Sequence, residues 1–594
     1  MVYIKSLREL RSDSGEIMGY LLETDDNQIK TLSKTEYEKE IVAGNIKLSS
    51  NLLPISNIKS PNTDKELITP EHNRNNFTYF TGNQLLKFIS SITSLKPRYT
   101  FENIKDYVTN PNKRYILALY GLRRTGKTVL MLQTISYLIN EKHISPDNIA
   151  FITFKRNTQL TYDNLVEKIE NIAQNYIFID EISYLKGNTE ESSLNILADV
   201  VCMQGKKIVI AGTFSYAIKI MSRNILLDRI QLLDTTYFSF KEAYNVLGYT
   251  LEEFIQTGGI IRSPNSSFTA EEYLKTSVID NITTSLIRSE ELELKDKQKT
   301  GVLIRGLIDT YMKEMIYNKV VKSNYKYSDI GTLVNKIQAL NIEDSILTNI
   351  YNETSINKRS LYNIVYETLG TLSKQDISEV DFNKLLSILK ELNIITDVKL
   401  TYTPESLFVS HYLRWNLCKE IVESISEEVS RQTGNRYTAD IAFDILRGNI
   451  LEAIIQLDLY KSEKYSISKY RNSITGMEID LIIENKDNIE LYEIKHSSEM
   501  VYEQAKNLIT DTFLSEIEAN YEKLILSLNI LYTGEKEETV EINPIEVYKS
   551  IITKRQALGK PTSQWSELLK QAELKNWQSK QVRYINITKF LLNK

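Results

Sequence analysis

The stretch that decides the fold runs from Tyr115 to Gln133 and reads YILALYGLRRTGKTVLMLQ. Its apolar run Ile116, Leu117, Ala118, Leu119 is of strand length and stops at Gly121, and an amphipathic run begins at Lys127. A glycine-bounded segment therefore joins a strand to a helix. Gly121, Gly126, Lys127 and Thr128 satisfy G-x-x-x-x-G-K-[ST]. In that context backbone N–H groups curl around phosphate oxygens, the lysine reaches the β- and γ-phosphates, and the hydroxyl binds Mg²⁺. Arg123, Arg124 and Thr125 lie within the loop and are expected to share in holding the nucleotide. The helix beyond the loop adds its N-terminal dipole. ATP and Mg²⁺ are the ligands this reading predicts.

A second stretch supplies what the loop lacks. Tyr176, Ile177, Phe178, Ile179, Asp180, Glu181 is an apolar strand ending in two carboxylates. Asp180 is expected to hold the magnesium shell and Glu181 to orient or deprotonate the attacking water. Asn148 to Phe154 (NIAFITF) and Lys207 to Gly212 (KIVIAG) are further buried-strand runs, with the helical TYDNLVEKIENIAQN and SSLNILADVVCMQ between them. Strands alternating with helices at this spacing imply βαβ units and a parallel sheet covered on both faces. Beyond KIVIAG, Thr213 is the residue expected to touch the γ-phosphate or the attacking water; the alternative is a hydroxyl that caps the next helix. Arg229, after the sheet, reads as a finger or sensor on the γ-phosphate from this subunit or a neighbour, with a surface ion pair as its alternative.

With 594 residues, 42% hydrophobic and 25% charged, the composition is that of a soluble globular chain of three or four domains. A net charge of −5 provides no global basic field, so any nucleic-acid contact must come from local patches. Cys202 and Cys418 are far apart, and His72, His143, His411 and His496 lack ligand spacing, which predicts a reducing compartment and no zinc site. The charged start MVYIKSLREL lacks an apolar signal core, and no run approaches the ~20 apolar residues of a membrane span, so a cytoplasmic protein without membrane contact is expected.

Residues 1–55 read as a small α+β module, with strand-like runs around Asp25-Asp26-Asn27 and a short helix from Lys34 to Ala43. Residues 56–76, rich in Pro, Asn, Ser and Thr, read as a linker. From Gln84 the pattern turns helical, with Pro97 and Pro111 punctuating the approach to the phosphate-loop strand.

The order GLRRTGKT, IFIDEI, KIVIAGTFS, LDRI, FSFKEA and FIQTGG resembles a large prokaryotic family of AAA-type ATPases close to the archaeal and signal-transduction P-loop branches, fused to a C-terminal domain similar to PD-(D/E)XK nucleases. The resemblance extends from Phe77 to Val547. The chain departs from the family at Ala211, where a polar residue is usual, and at Asp228, where a glycine is usual. The resemblance implies an α/β multidomain architecture: a P-loop ATPase core over residues 77–265, a helical lid over 266–324, a winged-helix-like domain over 325–425 and a nuclease-like α/β domain over 426–550; residues 551–594, beyond it, read as a basic helical tail. In the 325–425 region, helices leading into the strand-like IITDVKLTYT resemble a winged helix, which either binds DNA through a helix beginning at Lys358 and Arg359 or joins two domains. Neighbouring residues are acidic as often as basic, so the joining role is preferred.

The second chemical constellation lies from Gly448 to Ser498. GNILEAIIQLDLY is helical and carries Glu452, and turn signals at Thr475-Gly476 and Asn485 to Asn488 divide the residues beyond it into short strands. Asp480 falls on one strand; Glu493 and Lys495, two apart on the next, share a face. Asp480 and Glu493 on one Mg²⁺, with Lys495 beside them and Glu452 completing the shell, are what phosphodiester hydrolysis needs. The two carboxylates should then lie within roughly 6 Å of each other. From Lys554 to Lys594 a basic stretch containing Trp565 and Trp577 could grip a nucleic-acid backbone, but a solvated amphipathic helix pair with its tryptophans in the core is preferred. Taken together, these stretches predict an ATP-hydrolysing AAA-type protein, homo-oligomeric if it assembles as AAA rings do, coupled to a Mg²⁺-dependent nuclease-like domain acting on DNA. The rival expectation is a nucleotide-gated switch or scaffold whose nuclease-like domain binds without cleaving.

Overall fold

The computed structural model describes residues 2–11, 17–24, 29–33, 46–48, 77–92, 95–156, 158–185, 198–199, 201, 203–213, 218, 229–261, 269–289, 354, 356, 360, 387–400, 403–408, 411–434, 439–472 and 474–594. The chain divides into two compact units, Met1–Ile68 with Arg262–Ser267, and the remainder. In the first unit β1 (Val2–Arg11), β2 (Ile17–Thr24), β3 (Ile29–Ser33) and β4 (Ile46–Leu48) form a sheet of order β3-β2-β1-β4, with β1 antiparallel to β2 and parallel to β4. The helix expected over Lys34 to Ala43 and the linker at 56–76 lie outside the described residues.

The second unit begins with the sheet that carries the phosphate loop. Its strands are β5 (Phe77–Phe80), β6 (Ile116–Tyr120), β7 (Ile149–Phe154), β8 (Tyr176–Asp180), β9 (Lys207–Ala211) and β10 (Ile230–Asp234), in the order β10-β6-β9-β8-β7-β5. From β10 to β7 every pairing is parallel. The sequence shows why: ILALY and KIVIA are buried along their whole length, as strands covered on both faces must be. Alternate residues serve opposite faces, Ile116 and Ala118 one core, Leu117 and Leu119 the other. The short edge strand β5, antiparallel to β7, is not apparent in the sequence, because FTYF is only four residues and mostly half-buried. The order brings the C-terminal ends of β6, β8 and β9 side by side, where open α/β sheets place their ligands.

Beyond this sheet, helices Phe240–Leu247 and Leu251–Thr257 start at Ser239 and Thr250, whose hydroxyls accept from the Glu242 and Glu253 amides. Helix Ala270–Tyr273 passes through a π-helical turn, Leu274–Ile279, into helix Asp280–Ser289. The rest of the expected lid, most of the helices of the winged-helix-like region, and Lys358 with Arg359 lie outside the described residues. Its hairpin is present: β11 (Ile395–Leu400) pairs antiparallel with β12 (Thr403–Phe408).

Two long helices, His411–Thr433 and Asp440–Lys461, lead into a second six-stranded sheet. Its strands are β13 (Ser466–Arg471), β14 (Glu478–Glu484), β15 (Asn488–Lys495), β16 (Leu524–Tyr532), β17 (Glu538–Ile542) and β18 (Lys580–Asn586), in the order β13-β14-β15-β16-β18-β17. The first three form an antiparallel meander; β16 and β18 then run parallel to β15. Of the helical tail expected at 551–594, helices Pro544–Ala557, Ser563–Leu574 and Ile587–Asn593 are present, but Lys580–Asn586 is a strand. β18 is an internal strand, bonded to β16 on one side and β17 on the other, with Val582 and Tyr584 turned into the core. Trp565 and Trp577 pack against Tyr548 in the same core. Of the charged positions only Lys580 and Arg583 fall on β18, where Arg583 is exposed between the buried Val582 and Tyr584, and the strand pairs with β16 and β17, which precede it in the chain. A single core also joins Leu122 of the phosphate loop, Phe238 and Phe240 to Leu451, Ile454, Leu481 and Ile494 of the second sheet and its helix. Among the described residues no helix is long and apolar enough to cross a membrane.

Candidate functional site

The loop after β6 is held in a curl by its own side chains and by three donors from elsewhere. Gly121 and Gly126 have φ of 148° and 89°, and Arg124 sits at 62°, so the backbone turns through left-handed conformations at each end and in the middle. Lys127 Nζ donates to the carbonyls of Gly121 and Leu122, both at 2.8 Å. Thr125 Oγ1 donates to Leu122 O at 2.9 Å, Tyr273 Oη to Arg123 O at 2.8 Å, the Ile261 amide to Arg124 O at 3.1 Å, and Arg98 Nη1 to Thr125 O at 2.9 Å. Arg123 Nη2 also donates to the Tyr184 hydroxyl at 3.0 Å. A trans peptide sets its C=O and N–H in opposite directions, so the Arg124, Thr125 and Gly126 N–H groups point away from Tyr273 Oη, the Ile261 amide and Arg98 respectively. Burial pushes the Lys127 ammonium down to about 8, while Glu181 and Asp180 pull it up.

The two carboxylates divide as their positions suggest. Thr128 Oγ1 donates to Asp180 Oδ2 at 2.6 Å, joining the loop to the end of β8. Burial and the neighbouring Glu181 push Asp180 up to about 6. Glu181 lies just past the strand with φ 56°, and both its oxygens are taken by one residue: Thr213 N donates to Oε2 at 3.0 Å and Thr213 Oγ1 to Oε1 at 2.8 Å. Gly212 permits this approach, because a Cβ there would stand 2.6 Å from Ser183 Oγ and 3.2 Å from the Ser183 amide. Thr213 thus holds the Glu181 carboxylate through both its amide and its hydroxyl. Arg229 pairs with Asp199 at 2.7 Å, both side chains about half exposed, which is the surface ion pair of the alternative reading.

Residues 113–244 match a family model described as an AAA domain. This segment is an AAA domain. No curated protein matches the chain. Among solved structures it is similar to the ORC2 protein of Aeropyrum pernix in ADPNP–ADP complexes (14% identity, 57% of this chain and 97% of that chain, TM-score 0.25), the S. cerevisiae Hsp104–ADP complex (14%, 76% and 67%, TM-score 0.23) and AMPPCP-bound DnaA from Aquifex aeolicus (13%, 50% and 93%, TM-score 0.21).

Away from the AAA domain, the residues singled out on the second sheet do converge. Leu481 faces Tyr492 across the ladder, which sets Asp480 beside Glu493. Lys495 Nζ bridges them, 2.6 Å from Glu493 Oε2 and 3.1 Å from Asp480 Oδ2. The Ile494 amide donates to Asp480 Oδ2 at 2.8 Å, Asn507 Nδ2 to Glu493 Oε1 at 3.2 Å, and Gln456 Nε2 to the Asp480 carbonyl at 3.1 Å. Burial raises Glu493 to about 7 and Glu452 to about 8, and the Asp480 charge adds to both. Burial opposes ionisation of Asp480, but Lys495, Lys469 and the Ile494 amide outweigh it and hold that carboxyl below its usual range. Glu452 enters from the Asp440–Lys461 helix and lies 3.7 Å from Lys469 Nζ. Among the described residues no group of three or more His, Cys, Asp or Glu is gathered as metal ligands. The cation between the two strand carboxylates is the Lys495 ammonium. Oxygen donors of this kind are those a hard divalent ion prefers.

Sequence reasoning missed Arg98, Ile261 and Tyr273 at the loop, and Asn507 and Gln456 at the carboxylates. Each is brought in by the tertiary fold, and no local pattern announces it. Pro97-Arg98-Tyr99 precedes a helix in the ordinary way.

Proposed function

We propose that the chain binds and hydrolyses ATP in its AAA domain and that this activity controls a metal-dependent, nuclease-like C-terminal domain acting on DNA. The observation that carries the first half is the joining of three elements at one sheet edge: Lys127 in the loop, Thr128 hydrogen-bonded to Asp180, and Glu181 held by Thr213. Thr128 and Asp180 are the residues to hold Mg²⁺, which when bound neutralises phosphate charge. Lys127 exchanges its two carbonyl partners for the β- and γ-phosphates. Glu181, fixed at both oxygens, accepts the proton of the attacking water or orients it. Arg229 is proposed to act on the nucleotide of a neighbouring subunit, for which it would have to leave its surface pair with Asp199.

In the second half Asp480 and Glu493 supply the metal ligands, Glu452 a further carboxylate, and Lys495 the charge that steadies the phosphate. An ion held by these carboxylates would supply Lewis-acid activation of the scissile phosphate, with Lys495 beside them. The bridging position of Lys495 is also the observation favouring a second reading, in which the domain binds nucleic acid without cutting it. ATP hydrolysis and nicking assays with Mg²⁺ or Mn²⁺ across single- and double-stranded DNA and RNA separate the two. Asp480→Asn is expected to abolish metal-dependent cleavage and leave ATP turnover largely unchanged. Cleavage that persists in this variant removes the carboxylate site from the mechanism, and its absence in the wild type selects the second reading.

A further inference from the structure

A trans peptide is planar, so its C=O and N–H point in opposite directions. Whatever fixes a loop carbonyl outward therefore fixes the next residue's N–H inward, where a phosphate oxygen would sit. At Arg123, Arg124 and Thr125 the outward carbonyls are taken by donors from outside the loop: Tyr273 Oη, the Ile261 amide and Arg98 Nη1. Neither side chain is loosely held. Arg98 is 5% exposed, donates to Glu242 at 2.9 and 3.0 Å, to Thr235 O at 2.7 Å and to Tyr237 O at 2.6 Å, and its guanidinium lies 3.7 Å over the Phe238 ring. Tyr273 is 2% exposed and packs edge-on against Tyr412 at 5.5 Å.

We infer that Arg98 and Tyr273 are positioning residues for phosphate binding, acting through the Thr125–Gly126 and Arg123–Arg124 peptides to aim the Gly126 and Arg124 N–H groups into the loop. The inference rests on the nucleotide reading above. Arg98 carries more of the effect, because the groups that immobilise it, Glu242 and the Thr235 and Tyr237 carbonyls, lie on the segment after β10 and tie that segment to the loop. Neither side chain needs to touch the nucleotide.

The test measures binding of ADP and of adenosine to the full-length chain by competition with a fluorescent ADP, in the wild type, Tyr273→Phe and Arg98→Lys. Misaimed N–H groups cost phosphate affinity alone. Tyr273→Phe, which deletes one hydroxyl, is expected to weaken ADP about fivefold, and Arg98→Lys more than about tenfold, with adenosine affinity unchanged in both. Should Arg98→Lys fold poorly, Tyr273→Phe decides the matter by itself. Equal losses for adenosine and ADP, or ADP affinity unchanged beside a lowered melting temperature, mean that the two residues only hold the fold together, and overturn the inference. A wild type that binds ADP no better than adenosine overturns the nucleotide reading and the inference with it.

Discussion

Lys127 and Glu181 are distinguishable by what each removal leaves behind. Lys127→Ala takes away the ammonium that the loop encloses, and ATP binding or turnover should be lost. Glu181→Gln keeps the shape and leaves Thr128 and Asp180 in place, so nucleotide should still bind while hydrolysis slows by roughly 10²-fold or more. Equilibrium binding beside a phosphate-release assay checks both. If the glutamine variant no longer binds nucleotide, the roles given to the two carboxylates are wrong. Thr213 shows what residue-level reading can miss. A polar residue after β9 was legible, but its partner was not, because the Glu181 contact depends on how closely Gly212 lets β9 approach Ser183.

For secondary-structure elements the largest revision concerns the C terminus. β18 donates and accepts on both sides, so a chain ending at Lys575 leaves β16 and β17 without their shared neighbour and also loses Trp577 from the core. Such a truncation should give insoluble protein or abolish cooperative melting of the second sheet, whereas a dispensable tail could be removed silently. Soluble yield and a thermal melt decide between them. Strands β6, β7 and β9 were legible because each is a short, mainly apolar run between turn signals. β18 was hidden because polar and charged residues interrupt its three apolar ones and its partners lie about 40 to 55 positions earlier in sequence.

Across the whole second unit, the Asp440–Lys461 helix that carries Glu452 is gripped from the AAA side. Asp458 accepts from the Phe240 amide at 2.9 Å and from the Tyr237 hydroxyl, while Arg447 pairs with Glu252 at 3.0 Å. Lys461 donates to Asn393, which in turn donates to Tyr120 Oη, one residue before the phosphate loop. Burial pushes the Asp458 carboxyl up to about 8, against the pull of the Phe240 amide. The folded state thus keeps a proton that the unfolded chain has released, and stability should fall as pH rises from about 4 to about 8. Asp458→Asn, neutral throughout, should gain on the wild type in melting temperature between pH 5 and pH 8; a constant gap would mean that Asp458 is ionised in the fold. Assembly has its own test. Mixing Arg229→Ala with Lys127→Ala subunits should restore partial ATP turnover if each supplies what the other lacks. A mixture that stays inactive, with wild type active at high dilution, places the arginine in cis or outside the reaction.

By itself the sequence determined the phosphate loop, the strand ending in Asp180 and Glu181, and the shared face of Glu493 and Lys495. These rest on local spacing: a glycine-bounded turn, an apolar run, a two-residue repeat. Only the tertiary structure decided that Arg98 and Tyr273 brace the loop, that Thr213 holds Glu181, that Lys495 stands between Asp480 and Glu493, and that β18 belongs inside its sheet. The reason is physical: each of these depends on groups from separate elements meeting within about 3 Å, and that proximity is set by how sheets and helices pack rather than by any pattern along the chain.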